Sequence, residues 1–491
     1  MNLKSKVRKD LIRYIPQIIV PAFMAFISIP IYTRVFTPSA YGNLAIVKVS
    51  GDILTRFSAW LVASMTRYYN VYDRNKNLDA MITTMIKTAI IISVIISCIM
   101  LLLLGAVNIS SQLKILFCIG AILFPLTMIK RLLTNILRLQ RRIITHSFYA
   151  VLYTIGSFIV ILIFIFFYHM NVEAILLSNT ILLLLILPFL WKNSAHKKFK
   201  CRIKIDSEIV RKSALYGIPL VIGNLGYWLL DVSDRYMIGL LQNTHVLGIY
   251  ASCYNVTWNS LFLIVNLFFL MEEPLAMRSY VNNGKEELEE FLGLCTRVYL
   301  LVIIPCVFMM CFYADYIFRI MVGAEFRDGI RIVPYIALSV LFSGIIYKFR
   351  LGMLVMERTK SLMVIVLASG GANILLNFLL LPKYGIVGAG VATFSSYSLY
   401  LLLILFVSRK VLRWPFPIIS SVKILLSGCM GTYGIAPIIK MVNIRDRYGM
   451  LAICFIMSLV VYVSALIIFK EIKLGNVSGI LGIAKKTIRL G

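Results

Sequence analysis

The chain has 491 residues, 60% of them hydrophobic and 14% charged, with 50 Lys+Arg against 21 Asp+Glu for a formal net charge of +29. Its mean hydropathy is +0.89. Soluble domains carry about a quarter charged residues, so this composition excludes a water-soluble globule and describes an integral membrane protein. At roughly 20 apolar residues per crossing, a dozen or more helices use up most of the chain and leave no room for a sizeable soluble domain, catalytic or receptor-like.

Taken in chain order, the stretch Met1 to Arg13 is basic but has no small-residue cleavage site before the first apolar run, which predicts no removable signal peptide. A hydropathy window of about 19 residues then predicts fourteen helices, at 14–33, 42–64, 81–105, 113–129, 146–168, 172–191, 213–241, 246–271, 291–314, 332–356, 361–381, 385–407, 419–439 and 448–469. With both termini on the cytoplasmic side, the inside segments hold 33 Lys+Arg and the outside loops 8, leaving nine within the spans. That asymmetry is the positive-inside signature. The excess charge is therefore mainly topological, and it predicts no nucleic-acid partner.

The longest polar connection runs from Lys192 to Lys212 and reads as a basic cytoplasmic linker. It divides the chain into an N-terminal lobe at 1–191 with helices one to six, the linker at 192–212, a C-terminal lobe at 213–407 with helices seven to twelve, and helices thirteen and fourteen with a cytoplasmic tail at 408–491. The nine cysteines (Cys98, Cys118, Cys201, Cys253, Cys295, Cys306, Cys311, Cys429 and Cys454) contain no CxxC pair and fall mostly in apolar segments, so neither a disulfide framework nor a zinc site is expected.

An internal repeat is visible at an offset of 206 residues, where Thr37-Pro38-Ser39-Ala40-Tyr41-Gly42-Asn43-Leu44-Ala45 lies over Asn243-Thr244-His245-Val246-Leu247-Gly248-Ile249-Tyr250-Ala251. Both segments are turns between the first and second spans of a half, with the Gly and the last Ala in register. Asn171 to Ala174 echoes Gly385 to Gly388 at an offset of 214, and Pro16 and Pro219 sit early in the first span of each half. The predicted fold is an all-α membrane protein of about fourteen helices, in two six-helix lobes related by this repeat, with two further C-terminal helices. Parallel repeats of this kind commonly place a substrate cavity between the halves and work by alternating access.

The run Ile29-Pro30-Ile31-Tyr32-Thr33-Arg34-Val35-Phe36-Thr37-Pro38-Ser39-Ala40-Tyr41-Gly42 resembles the opening of the polysaccharide (O-antigen or capsule repeat-unit) flippases of the multidrug/oligosaccharidyl-lipid/polysaccharide exporter superfamily. Asp234 to Gly239, Leu247 to Ala251 and the glycine-rich Lys383 to Thr393 look like that family's second-half counterparts. The resemblance extends over nearly the whole chain in length, span count and order. It implies a V-shaped two-lobe fold in a bacterial cytoplasmic membrane and undecaprenyl-pyrophosphate-linked oligosaccharide as cargo. It also implies membrane lipid as a partner, and a polysaccharide polymerase and chain-length machinery as further ones.

Ionisable residues inside spans are functional candidates because each costs about 2.5–3.5 kcal/mol at the bilayer centre on insertion scales. Lys48, Asp52 and Arg56 recur every four residues on one face of the second span. They read either as an ion-pair ladder between helices or as a net positive face that captures a diphosphate. In the seventh span Asp231, Asp234 and Arg235 share a side. There Asp234 and Arg235 suit a structural pair, and Asp231 suits a proton- or cation-responsive group. Lys348 lies deep in the tenth span and joins Lys48, Arg56 and Arg235 as an expected diphosphate ligand, whereas Lys87 and Arg297 suit snorkelling. Tyr227, Trp228, Tyr254 and Trp258 read as packing or as sugar-stacking residues. Basic residues outnumber acids within the spans, which suits an anionic cargo better than a drug cation.

The rival readings are a lipid-II type flippase, a cation-coupled drug exporter of the same superfamily, and a membrane polysaccharide polymerase. The chain has no GxxxxGK[ST], HExxH or GxSxG motif, and its four histidines, His146, His169, His196 and His245, lie in or near loops. A transporter without enzymatic activity, metal or cofactor is expected, with proton or cation coupling as its drive.

Overall fold

The structure is a computed structural model that describes residues 16–106, 109–195, 199–200, 202–437 and 448–472. The basic N-terminal stretch, most of the C-terminal tail, His196 and Cys201 lie outside the described residues. The order is α1 (Pro16–Val35), α2 (Pro38–Phe57), α3 (Ala59–Arg74), α4 (Leu78–Ala106), α5 (Ser111–Leu139), α6 (Ile143–Phe166), α7 (Glu173–Ser194) and α8 (Ser207–Leu241). There follow α9 (Thr244–Phe312), α10 (Ala314–Met321), a 3-10 turn (Ala324–Ile332), α11 (Val333–Val355), α12 (Thr359–Ser408), α13 (Ile418–Tyr433) and α14 (Tyr448–Ile468). Among the described residues the protein is all-helical, and ten helices are long and apolar enough to cross a membrane.

Two of the ten contain a break. In α9 the backbone at Gly284 takes φ 84° and ψ −162°. In α12 Gly385 takes φ 56° and ψ −141°. Only glycine adopts such angles without strain. The first break separates the expected eighth and ninth spans, and the second separates the eleventh and twelfth. Conversely, the expected second span is two helices, because Ser58 ends α2 and turns both its N–H and its Oγ back to the Leu54 carbonyl at 3.2 and 3.1 Å. The helix order is thus roughly consistent with the expected map, with the charged second element broken and the thirteenth represented by the 16 residues of α13.

The chain divides into two compact units, Met1–Ala251 and Ser252–Gly491. In the first, α5 packs against α4, α7 and α2, while α8 packs against α2 and α3. Leu61, Met65, Met81, Ile82, Met85, Leu132 and Ile136 are essentially inaccessible and form its main apolar core. In the second, α11 is the most enclosed helix and packs against α12, and α13 packs against α14. A smaller apolar cluster of Tyr313, Ile435, Leu451 and Cys454 joins the end of α9 to that last pair.

The connection after α7 is bound to α4. Lys200 pairs with Asp79 at 2.8 Å, and its N–H donates to Thr83 at 3.1 Å. Lys87, expected to snorkel, donates to the Ile203 carbonyl at 2.8 Å.

Candidate functional site

The intramembrane charges of the first unit gather on α2, α5 and α8. Lys48, Asp52 and Arg56 follow one another at one-turn spacing on α2, as their periodicity requires. Asp52 stands in the electrostatic field of Arg56, Arg235, Arg131 and Lys48. Counting these five groups, four cations against one carboxylate leave a local surplus of three positive charges. Lys48, Asp52 and Arg131 are exposed, and Arg56 and Arg235 are half-buried, so the cluster has accessible surface and is not a closed core network.

Neighbouring contacts fix the helices that carry these groups. Arg131 Nη1 donates to the Thr55 carbonyl at 3.3 Å, tying α5 to the last turn of α2. Ser50 and Tyr236 share a 2.5 Å hydroxyl contact between α2 and α8. Beside it Val49, Trp228 and Val232 form a small apolar core with Ile53 and Leu229 against it. Trp228 packs within this apolar cluster, and its buried Nε1 has no hydrogen-bond partner among the described residues. Asp234 is 1% exposed. Its carboxylate accepts from the Tyr250 hydroxyl and, at 2.7 Å, from the backbone N–H of Arg235. Arg235 also donates from Nη1 to the Asp231 carbonyl at 3.4 Å.

Lys348, grouped with Lys48, Arg56 and Arg235 from its sequence position, lies in the second unit. It is fully buried, with its ammonium on the carboxylate of Glu272. The rings of Phe268 and Tyr299 stand 5.0 and 4.9 Å from its Nζ. Tyr254 and Trp258 are also in this unit and stack at 5.4 Å and 13°, with Phe262 continuing the column at 5.4 Å from Trp258. Arg297, expected to snorkel, donates from Nε to Glu471 Oε1 at 2.7 Å.

Hydropathy missed Arg131 and Glu272 because it ended the fourth span at 129 and the eighth at 271. Both helices continue. In the run after Ile129 the helical period persists through Leu132, Leu133, Ile136 and Leu137, all fully buried, with no Gly or Pro to stop it. That periodicity is the signal that reveals Arg131. Glu272 has no such local signal, since its partner lies 76 residues away.

Comparison with known proteins places this arrangement in context. A family model described as polysaccharide biosynthesis protein matches residues 31–331. An uncharacterized membrane protein of Methanocaldococcus jannaschii is 21% identical over 340 residues, covering 67% of this chain. The chain spans 65% of that relative's length. Among solved structures, the lipid II flippase MurJ in an inward closed conformation is similar with a TM-score of 0.75 at 15% identity, over 94% of this chain and 99% of that one. An inward-facing multidrug resistance MATE family transporter of the MOP superfamily gives 0.63 at 11% identity, over 81% and 94%. A Vibrio cholerae MATE transporter gives 0.55 at 11% identity, over 83% and 97%. These likenesses show a shared fold, and the neighbours are transporters and a flippase. With the family model matching more than half of its length, the chain belongs to the polysaccharide biosynthesis protein family.

Proposed function

We propose that the protein is a flippase that carries undecaprenyl-pyrophosphate-linked oligosaccharide repeat units from the cytoplasmic to the outer leaflet for surface polysaccharide assembly. The observation that carries this reading is the cation set around Asp52. A diphosphate esterified at both ends presents several acceptor oxygens and about two negative charges, which Arg56, Arg131 and Arg235 suit through bidentate guanidinium contacts, with Lys48 as a point charge. Asp52 offsets the mutual repulsion of the basic groups and orients them toward the cargo. The polysaccharide family membership supports the sugar cargo, and the MurJ-like fold supports a lipid-linked one.

The site works by being exposed alternately to the two sides of the membrane, with both termini in the cytoplasm and the bilayer holding the polyprenyl tail. Asp231 is the candidate for proton or cation coupling, and the Tyr254–Trp258 stack is the candidate platform for sugar rings. A polymerase and chain-length machinery would receive the product. A second reading, a lipid-II type cargo, is favoured by the high fold similarity to MurJ. The positive surplus argues against a cationic drug.

The test is deletion of the gene followed by extraction of polyprenyl-linked intermediates. The expected result is accumulation of a complete repeat unit on the cytoplasmic leaflet, restored to normal by the wild-type gene. Accumulation of lipid II instead selects the second reading, and no accumulation of either rejects both.

A further inference from the structure

The turns that the internal repeat aligned meet each other in space. An added Cβ at Gly42 would lie 1.8 Å from the carbonyl oxygen of Thr244, and one at Gly248 would lie 1.9 Å from that of Pro38. Both pairs carry the 206-residue offset, since Pro38 corresponds to Thr244 and Gly42 to Gly248. The first turns of α2 and α9 therefore cross reciprocally, each presenting its first-turn carbonyl to the bare Cα of the other's glycine. Such close backbone crossings are built from glycine and Cα–H···O contacts. Both first turns are fixed by their caps, with Thr37 Oγ1 accepting from the Ala40 N–H at 3.4 Å and Asn243 Oδ1 from the Val246 N–H at 2.9 Å.

The crossing is tied into a closed circuit of three helices. Gly248 on α9 meets Pro38 on α2, Ser50 on α2 meets Tyr236 on α8, and Asp234 on α8 accepts from Tyr250 on α9. Asp234 and Tyr236 flank Arg235, and Ser50 lies between Lys48 and Asp52, so the circuit runs through the cation set. At 1.5 Å per residue, Gly42 stands about 15 Å along α2 from Asp52. The crossing lies at the helix ends that the charge count assigns to the outside. Leu44 and Leu247, at 1% and 0% exposure, are buried beside it.

We propose that this glycine crossing, latched by Asp234 and Tyr250, is the outer seal of the transport path, and that it parts when the cation set opens to the outside. The inference rests on reading the protein as an alternating-access transporter. No side chain larger than hydrogen fits at either glycine while the seal is closed. A methyl there destabilises the sealed state and leaves a parted state unaffected. Breaking the Asp234–Tyr250 bond weakens the same state without any clash.

The test places a reporter thiol at Lys48 in a background with the nine native cysteines replaced, and measures its labelling in whole cells by a membrane-impermeant maleimide added outside. Gly42→Ala, Gly248→Ala and Tyr250→Phe are compared with the parent. Labelling at least tenfold faster in either glycine variant, and a smaller rise in Y250F, is the expected result. Because an alanine at the crossing can lower abundance, Y250F, which adds no atom, provides the measurement independent of it. Unchanged labelling in all variants that reach the membrane at parental levels overturns the seal. Transport of the lipid-linked sugar is measured separately in variants without the reporter. Faster outside labelling with no effect of gene deletion on lipid-linked intermediates would sink the cargo reading and leave the seal standing.

Discussion

Lys348 and Glu272 form a fully enclosed ion pair that joins the first part of α9 to α11, with the ring of Tyr299 at 4.9 Å from the ammonium. Tyr299 is itself held by its hydroxyl on the Val340 and Leu341 carbonyls at 3.3 and 3.1 Å. Taking two charges out of water is costly, and the attraction between them offsets that cost only while both are present. Removing one partner is thus far worse than removing both.

From this follows the first prediction. Lys348→Met or Glu272→Gln alone should destabilise the protein by about 3–5 kcal/mol, whereas the neutral double variant recovers most of the loss. Thermal unfolding in detergent, followed by fluorescence size-exclusion, checks it. A double variant as unstable as the worse single one would show that the pair is not a self-contained unit.

Gly344 gives the second. A Cβ there would lie 2.1 Å from the hydroxyl of Tyr299, and Tyr299 is completely buried. Gly344→Ala should cost about 1–3 kcal/mol by overpacking. Tyr299→Leu in the same chain removes the obstructing ring, so the two substitutions should be markedly non-additive in a double-mutant cycle. Simple additivity is the contrary outcome.

Arg131 gives the third. If it belongs to the diphosphate site, Arg131→Ala should weaken complementation or substrate affinity by about tenfold to a hundredfold, the range for one charge-assisted hydrogen bond of 1.5–3 kcal/mol. Arg131→Lys should restore only part, because an ammonium cannot make the two parallel contacts of a guanidinium. Membrane abundance of both variants should match the parent. Arg74, exposed at the end of α3, is the control: Arg74→Ala should leave transport unchanged.

The fourth concerns the last helix. Arg297 holds Glu471 by two bonds, one to the side chain at 2.7 Å and one to the carbonyl at 3.0 Å. Tyr462 adds a 2.9 Å bond from α14 to the Leu301 carbonyl. Arg297 is about two-fifths exposed, so water screens part of the interaction. Glu471→Ala should lower the apparent Tm by about 2–4 °C, the shift that roughly 1 kcal/mol produces. Limited proteolysis should then release the C-terminal segment earlier than in the parent.

Much of this molecule was legible in the letters because the bilayer imposes simple rules. Length and hydropathy determined a membrane protein built of helices, since only internally hydrogen-bonded segments cross lipid. Four-residue spacing determined that Lys48, Asp52 and Arg56 share a face, and the 206-residue echo paired Gly42 with Gly248. Tertiary structure alone decided what those residues meet. It extended two helices past the points where hydropathy falls, bringing Arg131 to Asp52 and Glu272 to Lys348. It also put Asp234 under the Tyr250 hydroxyl and showed that the two aligned glycines receive each other's neighbouring carbonyls. For the charged groups the physical reason is that a charge inside a span is tolerated when a partner satisfies it, and the partner's position in sequence is unconstrained. Periodicity reports which face of a helix a residue occupies, while packing alone determines which other helix that face touches.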